Sequence, residues 1–244
     1  MNESVSLAKA AALLGDPARS LMLISMLDGR AHTPTELAAD ADISVSTASE
    51  HLAKLLQGGL VKVVSQGRHR YYELSGPETA QILEGLIAVS ALPELKRRHG
   101  PHVPADLRLA RTCYDHLAGS LGVALADALI SLKAIELSAD SASITRQGQP
   151  IFDALAMNGD THDDTSHRMA CRTCLDWSER RSHLAGAFGK TLLMQLLSQK
   201  WILRTEDSRA IRVTAHGARE FKRLLGIEQA SDGAWQCRSQ ISAV

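Results

Sequence analysis

"TPTELAADADISVSTASEHLAKLLQGGLVKVVSQGRHRYYEL", residues 33–74, contains a change of period that decides the fold of the first part of the chain. Thr33 before Pro34, with Glu36 at the third helical position, is a helix start: hydroxyl cap, proline preset for the first turn, and the carboxylate of a capping box. A short helix is expected to about Asp40. Val45, Ala48, Leu52 and Leu55 then recur at spacings of three and four until Gly58-Gly59, which predicts a second helix joined to the first by a tight turn. From Leu60 the chain becomes rich in β-branched and aromatic residues around Gly67, the pattern of a two-stranded hairpin.

Working outward, Leu7, Ala11 and Leu14 form a helical stripe that stops at Gly15, and Asp16-Pro17 opens another helix bearing Leu21, Ile24 and Leu27 that ends at Asp28-Gly29. Helices, a tight turn and a hairpin in this order predict a winged helix-turn-helix. Its fourth helix carries Ser44, Ser46, Thr47, Ser49, His51 and Lys54 on the side away from the apolar stripe, hydrogen-bonding groups suited to base edges and phosphates of the major groove. The hairpin tip carries Arg68, His69 and Arg70, where cations meet the phosphate backbone and position the protein without reading sequence. Double-stranded DNA is the expected partner. Glu50 is the exception on this helix: it could accept from a cytosine amino group but is repelled by phosphate.

These residues resemble the ArsR/SmtB family of bacterial transcriptional regulators: the serine-rich start of the recognition helix, His51-Leu52, the Gly59-Leu60-Val61 step, and Gly67-Arg68 followed by Tyr72. The resemblance covers about residues 5–92. It implies a homodimeric repressor whose first helix and the helix after the wing, about Gly76–Leu92, form the dimer surface. Independently, Ile82, Leu83, Leu86, Ile87, Val89 and Leu92 make that helix apolar over a wider arc than one small domain needs. The chain departs from the family at its metal sites. Ala38 and Ala39 stand where the founding metal sensors carry thiolates, and the helix at 76–92 lacks the acidic and histidine ligands of the zinc-sensing branch.

"PELKRRHGPHVP", residues 93–104, reads as a linker, and its basic cluster as a solvated hinge. Beyond it a phrase occurs twice. Arg111-Thr112-Cys113, Asp115 and His116-Leu117-Ala118-Gly119 match Arg172-Thr173-Cys174, Asp176 and His183-Leu184-Ala185-Gly186, the second copy holding the insertion "WSERRS". Gly122 matches Gly189, and each copy continues through a hairpin pattern, clearer at Ile202–Val213, to an apolar helix. The expectation is a mainly α protein with small hairpins (α+β): a winged helix over 1–92, a linker over 93–104, a duplicated helical region of degenerate winged-helix-like units over 105–227, and a mobile tail over 228–244 in which Cys237 is idle. Each copy is expected to run helix, helix, hairpin, helix.

The four cysteines, 113, 171, 174 and 237, accompany no signal sequence, so reduced thiols in a cytoplasmic protein are expected. If residues 167–174 are helical, His167, Cys171 and Cys174 share one face and could hold a thiophilic ion such as zinc, cadmium or lead, or the same proximity could make Cys171 or Cys174 a redox sensor. Cys113, His116, Trp177, Arg180 and His183 could instead line a cleft between the copies that receives an organic effector. A third reading makes Cys113 and Cys174 plain packing residues, with Arg111 and Arg172 pairing along their helices to Asp115 and Asp176. The duplication favours packing, because His167 and Cys171 correspond to Asp106 and Ala110 in the first copy, whereas a set kept in both halves suits a repeat interface.

Bulk properties exclude little else. With 27 basic and 27 acidic residues, any basic surface must be local. No stretch approaches the roughly 18 apolar residues of a membrane span. Cys171-x-x-Cys174 sits in no βαβ pattern, and neither a phosphate-binding glycine loop nor a nucleophile elbow occurs, so no catalysis is expected. An interaction-only second half is the remaining alternative to a sensor.

Overall fold

The computed structural model describes residues 3–67, 69–95, 104–137, 141–157, 171–205 and 208–237. Arg68 and His167 lie outside the described residues, as does most of the basic linker. The chain forms two compact units that meet in sequence at Leu86 and Ile87, earlier than the boundary expected at 92.

The first unit follows the local signals closely. Helices α1 (Glu3–Leu14), α2 (Pro17–Ser25), α3 (Pro34–Asp40) and α4 (Val45–Gln57) precede strands β1 (Val61–Gln66) and β2 (His69–Leu74), and α5 (Pro77–Leu95) follows them, the unit boundary falling within it. Asp16 caps α2 by accepting from the Arg19 amide, Thr33 and Glu36 form the capping box of α3, and Ser44 caps α4 by accepting from Thr47. The inward stripes meet in a core of Met22, Leu23, Leu37, Leu52, Leu55 and Leu74, all fully buried. Each such side chain contributes about 1.5–3 kcal/mol relative to exposure, which fixes α4 against α2 and α3. The wing pairs antiparallel from Val61↔Leu74 to Gln66↔His69, and a bridge between His32 and Tyr72 ties β2 back to the start of α3.

The second unit corrects the helical expectation. The repeated phrase forms hairpins: β3 (Arg111–Cys113) with β4 (His116–Ala118), and β7 (Cys171–Leu175) with β8 (Ser182–Ala185). Tyr114, with φ 58°, turns the chain after Cys113, so Cys113 and His116 face each other across strands rather than along a helix. The same finding removes the proposed helical triad. Residues 171–175 are extended, and successive side chains of a strand point to opposite faces. Cys171 is buried in the apolar core while Cys174 leaves on the other side.

After its hairpin each copy enters a long helix, α7 (Gly119–Ser131) or α9 (Gly186–Ser198), then a second hairpin, β5 (Ile135–Leu137) with β6 (Ser141–Ile144) or β9 (Ile202–Arg204) with β10 (Ile211–Val213), and a final helix, α8 (Gln149–Ala154) or α10 (Ala215–Leu225). A short α6 (Ala105–Leu109) leads in. Thr145 and Thr214 occupy equivalent caps, each accepting from the glycine amide three residues on. Each copy is therefore hairpin, helix, hairpin, helix.

The copies exchange strands. In the four-stranded sheet β5-β6-β7-β8 the second hairpin of copy one pairs with the first hairpin of copy two, and Arg111 of β3 bridges Ala210 beside β10. One core serves both, joining Leu121, Leu125 and Phe152 to Phe188, Leu192 and Phe221. α7 is buried on nearly every side, as a central helix must be. The expected mobile tail does not begin at 228. Residues Ile227–Gln229 and Trp235–Cys237 pair as β11 and β12, Trp235 and Cys237 enter the core, and the Trp235 amide donates to Ser120 Oγ at 3.0 Å. No single helix among the described residues is long and apolar enough to cross a membrane.

Candidate functional site

The polar side of α4 is built by its own cap and its own stripe. With Ala48, Leu52 and Leu55 buried, Ser44, Ser46, Ser49 and Lys54 are turned to solvent, with Thr47 half-buried between them. Ser44 Oγ lies 2.8 Å from both Ser46 Oγ and Thr47 Oγ1, so the first turn presents a compact group of hydroxyls. Ser49 donates to the Val45 carbonyl at 2.8 Å. His51, on the same helix, is half-buried. Its ring is 3.2 Å from the Arg19 guanidinium and 4.0 Å from Asp16, so it ties α4 to the start of α2. Glu50 is exposed on the same helix. On the wing His69 and Arg70 are exposed, Arg70 lying over the Tyr72 ring at 5.8 Å. Beneath, buried Asp28 accepts from His32 at 2.9 Å and pairs with Arg30. Burial alone would raise the Asp28 carboxyl, but the His32 and Arg30 contacts outweigh it and hold it at about 2.

The second cluster lies where the two copies meet. Cys113 and His116 are opposite one another across β3–β4, and Cys174 and His183 across β7–β8. The two pairs face each other: the sulfurs of Cys113 and Cys174 are 4.0 Å apart, and Nε2 of His116 is 3.1 Å from Nε2 of His183. All four ligand-type atoms lie within 4.8 Å of one another. Behind each ring stands the aspartate of the same copy, Asp115 Oδ1 at 3.3 Å from His116 Nδ1 and Asp176 Oδ2 at 3.4 Å from His183 Nδ1.

Close approach of the copies depends on glycine. A Cβ on Gly122 would stand 2.6 Å from the Leu117 carbonyl and 3.5 Å from His183 Cβ; one on Gly189 would stand 2.5 Å from the Leu184 carbonyl and 3.1 Å from His116 Cβ. Each long helix thus packs under the hairpin of its own copy and against the histidine of the other.

Asp176 anchors the seam. Its carboxylate accepts from Arg111 at 3.0 Å, from the Gly119 amide at 2.7 Å, and from the Ser178 and Glu179 amides across the inserted turn. Burial raises this carboxyl, yet Arg111, His183 and the amides together hold it well below the usual range. Arg111 is fully buried and lies 4.4 Å above the Trp177 ring. The expected pairing of Arg111 with Asp115 along a helix is therefore replaced by a pairing across copies, and Arg172 is exposed. The expected open cleft is also absent at these residues. Cys113, His116, Trp177 and His183 are buried and packed on one another, whereas Arg180 is exposed in the inserted turn.

Electrostatics separate the thiols. Desolvation pushes Cys171 up to about 12, making it an inert core residue. Cys174 is shifted the other way, first by the Cys113 thiol and then by the two imidazoles, against burial. Burial lowers His116, but Asp115 and Cys174 outweigh it and leave the ring more basic than a free histidine.

Residues 5–64 match the family model described as a helix-turn-helix domain. Over 226 residues, 91% of this chain and 98% of the relative, the sequence is 41% identical to the uncharacterized HTH-type transcriptional regulator YdfF of Bacillus subtilis. The HTH-type transcriptional regulator CmtR of Mycobacterium bovis is 37% identical over 89 residues, 36% of this chain and 74% of that protein. Among solved structures, the homodimeric winged helix-turn-helix domain of Mb0332 from Mycobacterium bovis, a possible ArsR-family regulator, shares 27% identity, covering 40% of this chain and 88% of that one at a TM-score of 0.34.

Proposed function

The chain belongs to the ArsR/SmtB family of winged helix-turn-helix transcriptional regulators, and from that premise we propose that it is a homodimeric repressor that binds an operator through α4 and the wing and is released by an effector received in its second unit. The observation that carries the DNA contact is the face of α4: Ser44, Ser46, Ser49 and Lys54 exposed on a helix whose other side is locked into the core. In this reading Ser46 and Thr47 read base edges, and Arg68, His69 and Arg70 meet phosphates. The homodimer is supported by α5, where Ile82, Leu86 and Val89 are exposed at helical spacing as one apolar stripe.

A mobility-shift assay on the DNA upstream of the chain's own reading frame tests this. A sequence-specific shift that weakens with salt, by about 0.9 in log–log slope per phosphate neutralised, is expected. Arg70→Ala should weaken all sequences alike and lower the slope by about 1, while Ser46→Ala should change preference among them. A shift indifferent to both sequence and salt would sink the proposal.

A further inference from the structure

Two cysteines and two histidines converge in the second unit, outside the winged helix. We propose that Cys113, His116, Cys174 and His183 form a four-coordinate site for one thiophilic divalent cation, zinc being the reference ion, lying between the two copies and clamping them together.

Three observations carry it. The first is size. Tetrahedral coordination with zinc–sulfur and zinc–nitrogen bonds of about 2.3 and 2.0–2.1 Å places sulfurs about 3.8 Å apart and nitrogens about 3.3 Å apart. The separations here are 4.0 Å and 3.1 Å. The second is orientation. Asp115 hydrogen-bonds His116 Nδ1 at 3.3 Å, the arrangement that keeps the proton on Nδ1 and directs the Nε2 lone pair at a metal, while Asp176 Oδ2 stands 3.4 Å from the buried Nδ1 of His183, which makes no hydrogen bond. Two Nε2 atoms 3.1 Å apart need either a proton or a metal ion between them, and the metal uses both lone pairs. The third is symmetry. Cysteine, aspartate and histidine are retained in both copies, and one ion between them takes a cysteine and a histidine from each. The set of two sulfurs and two nitrogens, three of its residues buried and Cys174 partly so, is that of a structural site whose binding energy adds to folding. Neither the DNA contact nor the dimer is needed for this inference.

Full-length protein, stripped with chelator and fully reduced, is titrated with Co(II) and then with Zn(II). One Co(II) per chain is expected to bind, with the d–d bands of tetrahedral cobalt and a sulfur-to-cobalt charge-transfer band, and Zn(II) should displace it. Zn(II) should also raise the Tm of the stripped protein by several degrees. Cys113→Ala and Cys174→Ala should each abolish the charge-transfer band or weaken affinity at least a hundredfold, and His116→Gln should redshift or weaken the d–d bands. Cys171→Ala and Cys237→Ala should bind as the parent does. Should reduced, folded parent protein bind no Co(II), or bind it with undiminished charge transfer in Cys113→Ala and Cys174→Ala, the site does not exist. Formation of a Cys113–Cys174 disulfide in air with no metal uptake after reduction would equally overturn it.

Discussion

Arg111 shows how much one buried charge can organise. Its guanidinium is wholly out of solvent, held between Asp176, the Leu107 carbonyl, Ser178 and the Trp177 face, so it links copy one, the inserted turn and the seam. Removing one member of such a pair strands the other, which typically costs about 3–5 kcal/mol. Arg111→Ala is expected to destabilise the second unit by that order in urea unfolding, and Arg111→Ala with Asp176→Asn to be less harmful than the sum of the single changes. A strictly additive pair would refute the coupling. Asp28 sets a pH dependence in the first unit. Its folded carboxyl titrates at about 2, below the ordinary 3.8, so the Asp28–His32–Arg30 contacts stabilise the fold above the unfolded value and the contribution is lost as pH falls from about 4 towards 2. The shift corresponds to about 2 kcal/mol. Asp28→Asn should flatten stability against pH across that window in acid-unfolding curves while leaving the curve above pH 5 parallel to that of the parent.

At the scale of elements, what could be read in advance depended on how local the cause was. The caps at Asp16, Thr33 and Ser44 act within four residues, so the starts of α2, α3 and α4 follow from the chain alone. The three-residue strands β3 and β4 carry no usable period, and residues three apart are neighbours both along a helix and across a tight hairpin. Cys113 and His116 fit both. The second copy held the discriminating signal: the matched cysteine and histidine lie nine residues apart at 174 and 183 instead of three at 113 and 116, an insertion a cross-strand pair absorbs in its turn and a helix face does not. Arg68 is a sequence expectation that falls outside the described residues. α5 carries its own prediction. With Ile82, Leu86 and Val89 exposed in one stripe, Leu86→Asp should convert the dimer to a monomer in light scattering coupled to gel filtration. Operator affinity should fall about a hundredfold with the loss of two-site attachment. A monomeric parent, or a dimeric variant, would reject the dimer surface.

For the whole molecule, duplication created a choice that the sequence posed too narrowly, as symmetric packing or an asymmetric metal centre. Strand pairing between copies is accompanied by direct contact between matched residues, so a shared set can pack and converge at once. The same closure reaches beyond the repeats. After α10 the chain turns at Gly226 and returns as β11–β12, where Trp235 packs on Phe221 with centroids 6.2 Å apart and Trp201 lies on the same ring at 5.2 Å. Nothing in "EQASDGAWQC" announces this, because a two-stranded hairpin is not stable alone and takes its order from the α7 and α10 surfaces it covers. Trp235→Ala opens a cavity beside Phe221 and removes the largest side chain of that hairpin, a change that typically costs about 3–5 kcal/mol. Deleting the residues after Gly226 should cost at least as much and expose Phe221 and Ser120 to solvent. Both losses should appear in urea unfolding of the second unit, with Cys237 gaining reactivity towards a thiol reagent in Trp235→Ala. If Cys237 reacts at the same slow rate in parent and variant, or if truncation leaves the midpoint unchanged, the hairpin contributes nothing to the core and the unit ends at α10.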